Sequence, residues 1–263
     1  MQKIFILLIG VFFASVSQAQ NHKKVPSIND CVGKNFSVVA WVLEDTMARV
    51  NLTQADVQVA IDNLNTSFGD ICVSFNLCDF TILPNARQTE PNLNSEAKEI
   101  ASIHQLKNVI NLYFVEKVIG DPSMTIEELG DTTLPDLNNP LTNAIFLPKA
   151  NAKDGVTINY ALGRFFGLYY THFNGDELAD ASNCSIAGDK ICDTPADPGG
   201  SEDGSCHLSY NSTSPILDLN GHYYVPDVCN FMSWYSPVCR SSFTIEQYNK
   251  MAEVILKGRN YLW

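Results

Sequence analysis

Residues 157–173 read TINYALGRFFGLYYTHF, a stretch that is apolar and aromatic along most of its length. Such a stretch is typical of a buried helix, yet Arg164 stands in its middle and His172 near its end. Gly163 and Gly167 lie within the same segment, although a glycine in a helix interior costs about 1 kcal/mol relative to alanine. The backbone of this segment therefore has a requirement that favours glycine.

The chain before this segment alternates between predicted strands and predicted helices. Apolar and β-branched runs predict strands at residues 35–46, 71–83, 109–118 and 143–148. Helices are predicted at residues 51–68 and 99–107, and a last one follows at 243–256. This alternation predicts an α/β fold in which a twisted, mostly parallel sheet is layered with helices.

Two of the predicted helices carry recognisable starts. Thr53 can cap the first, and Thr244 with Gln247 three residues later has the spacing of a capping box in the last. The first helix also has apolar positions that predict a core-facing side: Val57, Val59, Ala60, Ile61 and Leu64.

After residue 173 the composition changes. Residues 174–203 contain one cation, Lys190, and many acidic residues: Asp176, Glu177, Asp180, Asp189, Asp193, Asp197, Glu202 and Asp203. Glycine and proline recur throughout, so this part is predicted to be rich in loops and poor in regular structure.

The chain begins with a segment typical of secretion. Residues 1–19 have a short basic start, an apolar run and small residues before a cleavage position, which predicts a signal peptide and a secreted or periplasmic protein. The net charge is −12, and loss of Lys3 with this segment makes it one unit more negative. An acidic balance argues against nucleic acid and anionic membranes as partners, and no later apolar run predicts membrane insertion.

Secretion favours disulfides for the eight cysteines, none of which forms a C-x-x-C pair. They are Cys31, Cys72, Cys78, Cys184, Cys192, Cys206, Cys229 and Cys239. Three precede residue 80 and five follow residue 180, so full pairing requires at least one bridge between the two halves. We predict that Cys72 pairs with Cys78 and that Cys31 pairs with the C-terminal region.

Three stretches, YALGRFFGLYYTHF, GDKICDTPADP and CNFMSWYSPVC followed by FTIEQYNKM, resemble the pappalysin family of secreted zinc endopeptidases, within the metzincins. In that family the helix reads His-Glu-x-x-His-x-x-Gly-x-x-His, a loop carries Asp-Thr-Pro, and the Met-turn reads Asn-Tyr/Phe-Met-Asp-Tyr-Ser. The resemblance runs from about residue 36 to the C-terminus. It implies one metzincin-like domain over residues 20–263, with an upper half at 36–173 and a lower half at 174–263.

The residues that would form the family's zinc site are replaced. Alignment on the shared glycines places Tyr160, Ala161, Arg164 and Tyr170 at the positions of the first histidine, the catalytic glutamate, the second histidine and the third histidine. Ala161 cannot accept a proton, and Arg164 stays protonated and offers only hydrogen-bond donors. The resemblance with these substitutions implies no zinc, and we expect no catalysis by the family's chemistry.

The Met-turn departs from the family pattern in the same way. Residues 230–232 match it and include Met232, but Ser233 and Trp234 replace the aspartate and the tyrosine that assists the oxyanion in those enzymes. Tyr235, one residue later, is a candidate to reach back into the cleft. The candidate cleft residues are therefore Tyr160, Arg164, Tyr170 and Tyr235.

Two placements are open for Arg164. Its guanidinium can stand where zinc would, hydrogen-bonded by the hydroxyls of Tyr160 and Tyr170 and paired with a carboxylate from the acidic loop. It can instead reach into an open cleft with its stem packed on Phe165 or Tyr160.

His172 is interpreted as an ordinary satisfied side chain, because a lone histidine without a partner at metal-ligand spacing is a poor ligand candidate. The acidic segment is interpreted either as a solvated loop or as a calcium site with Asp176, Asp189 and Asp193 as candidate ligands. No cofactor is expected from the sequence, and calcium is the ion that the acidic segment could bind.

The function predicted is that of a secreted pseudopeptidase that binds peptide, protein or glycan in a cleft without cutting it. One alternative is an active metallopeptidase with a relocated or non-standard metal site. Another is a structural or regulatory partner of an active homologue.

Overall fold

In the computed structural model of the protein, the described residues are 31–44, 52–84, 96–117, 142–199, 201–202, 206–209 and 217–263. The predicted signal peptide at residues 1–19 lies outside these ranges.

Four strands form the main sheet. They are β1 (Lys34–Leu43), β2 (Val73–Leu83), β3 (Ile110–Val115) and β4 (Ala144–Pro148), in the order β2-β1-β3-β4. All three neighbouring pairs run parallel. The predicted α/β fold with a parallel sheet is confirmed, and the run at residues 71–83 forms a single strand that begins at Val73.

Helices cover both faces of this sheet. They are α1 (Gln54–Phe68), α2 (Glu96–His104), α3 (Thr157–Phe165) and α4 (Ile245–Lys257). Successive strand side chains point to opposite faces, so Phe36 and Val38 join a core with α1, α3 and α4, whereas Val39 and Trp41 join one with α2.

The capping predictions are confirmed. The Thr53 hydroxyl accepts from the Asp56 backbone N–H at 3.2 Å, and the Asp56 carboxylate accepts from the Thr53 N–H at 2.9 Å. Thr244 and Gln247 form the same reciprocal pair at the start of α4. One predicted core position is wrong, because Val59 is 44% exposed.

Helix α3 is shorter than the apolar segment that predicts it. It ends at Phe165, and Gly167 has φ +88°, a left-handed conformation that L side chains rarely adopt. A Cβ at Gly167 would also lie 2.9 Å from Cγ2 of Val254. Gly167 therefore makes the turn after the helix, while Gly163 allows close packing inside it.

The chain between α3 and α4 contains little regular structure in its described ranges. Two-residue strands β5 (Ser201–Glu202) and β6 (Leu208–Ser209) pair antiparallel. Met251 and Ile255 on α4 are buried in the same core as α1 and α3, so the loop-rich half is anchored to the sheet. Among the described helices, none has the length and apolarity to cross a membrane.

Arg259 follows α4 and is only 1% exposed. Its Nη1 donates to the carbonyl of Thr142 at 2.6 Å and to the Tyr261 hydroxyl at 2.9 Å. Its guanidinium carbon lies 3.8 Å from the ring centroid of Phe165. The C-terminal segment thus packs against the end of α3 and the start of β4.

The predicted disulfide pairing is wrong. The bridges are Cys31–Cys72, Cys184–Cys192 and Cys206–Cys239, and the remaining two cysteines, Cys78 and Cys229, are free and exposed. All eight cysteines lie in the described ranges, so no bridge joins the two halves.

The geometry of β2 explains the error. Cys72 directly precedes β2 and Cys78 lies within it, and six extended residues span roughly 20 Å, far beyond the roughly 7 Å that a disulfide tolerates. Cys31 instead precedes β1, which starts beside β2 with Lys34 opposite Val73, and this register places the Cα atoms of Cys31 and Cys72 5.1 Å apart.

Candidate functional site

The site begins on α3, which presents three of the four substituted positions. Tyr160 is 2% exposed and Ala161 is fully buried, both packed in the core beneath the sheet. Arg164 lies one helical turn after Tyr160 and is half-buried. The helix therefore buries the methyl group that replaces the glutamate and brings the guanidinium towards the surface.

Arg164 is held by a carbonyl and two rings. Its Nη1 donates to the carbonyl of Leu168 at 2.8 Å. Its guanidinium carbon lies 5.8 Å from the ring centroid of Tyr169 and 5.6 Å from that of Tyr170, within cation–π range. Arg164 thus lies against the ring of Tyr170, and the predicted hydrogen bonds with the hydroxyls of Tyr160 and Tyr170 stay a prediction.

Five aromatic side chains pack together beside this arginine and form what we call the aromatic cluster: Tyr169, Tyr170, His172, Phe173 and Trp234. Tyr169 stacks on Phe173 with ring centroids 4.3 Å apart. Tyr170 and His172 lie 4.5 Å apart, and His172 meets Trp234 edge-on at 5.0 Å. His172 is thus a member of an aromatic packing unit.

Trp234 connects the predicted Met-turn to α3. Its Nε1–H donates to the hydroxyl of Tyr160 at 3.4 Å, and its side chain is 58% exposed. Trp234 and Tyr160, which the resemblance aligns with the family's tyrosine and first histidine, are therefore in contact. This pairing puts an exposed but anchored indole over the substituted helix.

Residues 230–232, predicted to form a Met-turn, are held in place by buried hydrogen bonds. Met232 is fully buried, and its N–H donates to Oδ1 of Asn230 at 2.8 Å. The Asn230 side chain in turn bonds Gln247 of α4. Arg240 donates to the carbonyl of Ser233 at 2.9 Å, directly before Trp234. These bonds fix the backbone that carries the indole.

Tyr235 lies elsewhere than predicted. It is 3% exposed, and its hydroxyl donates to Oδ1 of Asp197 at 3.0 Å. The other oxygen of Asp197 accepts from the hydroxyl of Thr171 at 2.6 Å. Tyr235 is therefore a buried link between the loop and the Met-turn segment, and the prediction that it faces the cleft is corrected.

Asp197 is the residue that sequence reasoning missed. It is 4% exposed and holds Thr171, Gly199 and Tyr235 together. In the sequence it is one of eight acidic residues in a loop, and its only distinguishing signal is its place two residues after the proline of Asp193-Thr194-Pro195.

Two further carboxyl groups of the acidic segment are buried. Burial raises the pKa of Glu177 to about 8, with added repulsion from Asp189, Asp176 and Asp197. Burial also raises the pKa of Asp189 to about 7, although it accepts hydrogen bonds from Ile191 and Thr194. Oε1 of Glu177 has no hydrogen-bond partner among the described residues.

The three calcium candidates each bond a different backbone or side-chain group. Asp176 accepts from the Gly188 N–H at 3.0 Å, Asp189 accepts from Thr194, and Asp193 accepts from the N–H of Glu246 at 2.8 Å. Across the ranges that the structure describes, no three His, Cys, Asp or Glu side chains are grouped to hold a metal ion. Calcium binding stays a prediction.

The side chains at the family's ligand positions do not fit a zinc ion. The Tyr160 hydroxyl accepts a hydrogen bond from Trp234, and Arg164 presents donors and a positive charge. Zinc sites use thiolate, imidazole or carboxylate donors, and none of the four substituted positions carries one. The chemistry of these four side chains therefore does not suit zinc, and the absence of zinc from the protein stays a prediction.

A parallel sheet, a helix ending in a glycine turn and a buried methionine beneath it define a metzincin-type fold. Mirolysin of Tannerella forsythia, solved with a cleaved peptide, has this fold with a TM-score of 0.60 at 16% identity, covering 87% of this chain and 94% of that one. Mirolysin in complex with compound 9 gives a TM-score of 0.59 at 17% identity, over 87% and 95%.

The sequence comparisons agree with the fold. A family model described as pregnancy-associated plasma protein-A matches residues 134–256. An extracellular metalloprotease of Colletotrichum graminicola is 25% identical over 230 residues, 82% of this chain and 72% of the relative. One of Verticillium alfalfae is 27% identical over 229 residues, 82% and 74%. In sequence and in fold, the chain is thus similar to metzincin-type proteins of the pappalysin kind.

The prediction that this protein is secreted is confirmed. The relatives of this chain are named as extracellular proteins. Its three disulfides agree with this, because disulfides form in oxidising surroundings outside the cytoplasm.

Proposed function

We propose that this protein is a secreted, non-catalytic member of its family that binds a ligand at the aromatic cluster. The observation that carries the proposal is Arg164, which stands at the family's second histidine position. Its guanidinium bonds the Leu168 carbonyl and lies against Tyr169 and Tyr170. A permanent cation in this place repels a metal dication and offers no lone pair to one.

The general base of the family is also gone. Ala161 is fully buried and packed in the core, so its methyl group supports the fold and takes no part in proton transfer. A peptide bond needs an activated water for hydrolysis, and metallopeptidases activate it with a metal and a carboxylate. Because both the metal ligands and the carboxylate base are replaced, the substitutions support binding of a ligand without its hydrolysis.

The aromatic cluster supports a binding role for the same surface. Trp234 is 58% exposed yet hydrogen-bonded to Tyr160 and packed against His172, so its indole is presented in a fixed position. Exposed, anchored aromatic side chains contribute large contact area at low entropic cost and recur at binding hot spots. Peptide, protein and glycan ligands can all use such a surface.

The proposal is tested by two measurements on the purified secreted protein. Elemental analysis should find no stoichiometric zinc, and a broad peptide pool should stay intact by mass spectrometry after long incubation. Stoichiometric zinc together with cleavage that EDTA stops would show an active metallopeptidase. Capture of an active homologue from the secreting cell would favour a regulatory partner.

A four-residue restoration tests the alignment itself. The variant carries Tyr160→His, Ala161→Glu, Arg164→His and Tyr170→His. Because Ala161 is buried, the new carboxylate is costly without a metal, so thermal stability should fall in EDTA and recover with added zinc. If added zinc left the thermal stability of this variant unchanged, these four side chains would not converge on one metal ion.

A further inference from the structure

We propose that a cavity at the carboxyl end of the main sheet binds a small primary amine with an apolar body, and that the carboxylate of Glu44 pairs with the amine. This inference goes beyond the proposed function, because the residues that line the cavity are not those of the aromatic cluster.

The position of this cavity is one where parallel sheets commonly bind ligands. Glu44 directly follows β1, Ile82 is the second-last residue of β2, and Lys149 directly follows β4, so the carboxyl ends of three strands contribute to its lining. In open α/β sheets, ligands bind in the crevice outside these ends. The cavity has a volume of about 430 Å³, within the roughly 300–1,000 Å³ typical of pockets for small molecules. Its place and size therefore favour a small ligand.

The walls of the cavity are apolar. They consist of Val42, Leu52, Phe80 and Ile82. Val42 lies beside Ile82 in the register of β1 and β2, and Phe80 is two residues before Ile82, so all three point to one face of the sheet. Ile82 is 45% exposed, and the apolar body of a ligand would remove part of this surface from water.

The charges at the cavity select the sign of the ligand. Lys149 is 3% exposed, and its Nζ donates to Oε1 of Glu116 at 2.6 Å, so these two charges compensate each other. Glu44 is the other charged residue in the lining, and its backbone N–H is fixed by the carbonyl of Leu83 at 3.0 Å. Among the described residues, the balance at the cavity is one negative charge, which complements a monocation.

The start of α1 does not convert the cavity into an anion site. Thr53 and Gln54 line it, but the Thr53 hydroxyl already accepts from the N–H of Asp56. The Asp56 carboxylate lies in the first turn, where it offsets the positive end of the helix dipole, and it is itself paired with Lys153 at 2.9 Å. An anionic ligand would therefore be repelled by Glu44 and gain little from the helix.

A primary ammonium also fits the polar part of the lining. It has three N–H donors, and the carboxylate of Glu44, the hydroxyl of Thr53 and the amide oxygen of Gln54 all offer acceptors. The ligand class is therefore an amine whose charged end is hydrogen-bonded at this edge while its apolar end packs on Phe80 and Ile82.

The test compares three probes that share one apolar body: 2-phenylethylamine, 2-phenylethanol and 3-phenylpropionate. Their dissociation constants for the full secreted protein are measured at pH 7 by ligand-observed NMR titration. The amine should bind at least about tenfold more tightly than the alcohol, as expected for a charged hydrogen bond, and the acid should bind most weakly. Equal affinity of amine and alcohol, tighter binding of the acid, or binding of none of the three would overturn the inference.

Two carboxylate variants locate the amine. Glu44→Gln should lower the affinity for the amine to that for the alcohol and leave the alcohol unaffected. Asp79→Asn is the matched control, because Asp79 is exposed on the same strand as Phe80 but points to the opposite face of the sheet, and it should keep the preference for the amine. Equal losses in both variants would show non-specific charge attraction and overturn the inference.

A third variant locates the apolar body. Ile82→Asn replaces a partly exposed wall residue and should weaken the binding of amine and alcohol alike, several-fold for each. Unchanged affinity of both probes in this variant would place them outside the cavity and overturn the inference.

A peptide N-terminus is another source of a primary amine, and phenylalanyl-glycyl-glycinamide carries the same ammonium and ring on a longer body. Tighter binding of this peptide than of 2-phenylethylamine would assign the cavity to peptide ends and overturn the inference. Zinc content and peptide cleavage, which test the proposed function, do not depend on Glu44 or Ile82, so each proposal can fail while the other stands.

Discussion

Gly163 lies so close to Met232 that a Cβ on the glycine would be 2.6 Å from the methionine Sδ and 3.1 Å from Cε1 of Phe243. Met232 is fully buried, so its thioether has little room to move. The glycine of α3 and the methionine of the Met-turn segment are therefore a matched pair. The buried thioether leaves no room for a side chain at residue 163, and the missing side chain makes room for the thioether.

This pair predicts the effect of Gly163→Ala. Alanine gains about 1 kcal/mol in helix propensity, but overpacking against Met232 costs about 1–3 kcal/mol, so the free energy of unfolding should fall by roughly 1 kcal/mol. Urea denaturation measures it. Gly69→Ala is the control, because a Cβ there meets nothing within 4 Å, and its stability should change little. If the two variants were equally stable, the Met232 thioether would have moved to make room for the added methyl group.

The pH dependence of stability follows from Glu177. Its pKa is raised from 4.5 to about 8, so the folded protein holds a proton that the unfolded chain releases between these pH values. The stabilising contribution is full below about pH 4.5 and is lost as pH rises through 8. We expect the free energy of unfolding to fall by roughly 1–3 kcal/mol from pH 5.5 to pH 8.

Glu177→Gln should reduce this slope, most of all above pH 7, because the amide stays neutral. Asp189, whose pKa is raised to about 7, should still contribute a slope below that pH. Glu253→Gln is the matched surface control, since Glu253 is exposed and paired with Lys257, and it should keep the slope. A slope unchanged in the first variant would assign the pH dependence to other groups.

Calcium binding by the acidic segment is tested in the same pH range. As the pH rises through 7 Asp189 loses its proton, and as it rises through 8 Glu177 does so too. The two carboxylates then repel each other, and a dication would relieve that repulsion. We expect calcium chloride to raise the melting temperature at pH 8 more than magnesium chloride does, and Asp189→Asn to remove the difference. Equal effects of both salts would exclude a calcium-selective site here.

Two cysteines should behave as free thiols. Cys78 and Cys229 are exposed and unbridged, so a thiol reagent should label both without denaturant, and replacing both by serine should leave stability nearly unchanged. Cys206→Ser opens a bridge spanning 33 residues and should cost about 3–4 kcal/mol. Peptide mapping that recovers a Cys72–Cys78 fragment would contradict the described pairing.

Local chemistry predicted most of the fold. Thr53 and Thr244 mark helix starts because capping depends on residues three apart in the chain. Val59 shows that apolar character alone does not place a residue in the core, because its angular position around the helix also matters. It lies two residues after the buried Val57, on the opposite side of the helix, and is exposed.

The site was less accessible to sequence reasoning because its contacts are distant in the chain. Trp234 and Tyr160 are 74 residues apart, and Tyr235 and Asp197 are 38 apart. Three of the four substituted positions lie on α3, and the alignment that proposes all four needed only their spacing along the chain. The anchoring of Trp234 and the burial of Tyr235 depend on how loops pack, and no local pattern encodes that.

Arg259 has a consequence for the order of folding. Its guanidinium closes against Phe165 and the Thr142 carbonyl, a partner 117 residues earlier in the chain. The final packing at the end of α3 therefore includes a side chain from the last five residues of the sequence, so α3 cannot complete its packing before the C-terminal segment has joined it.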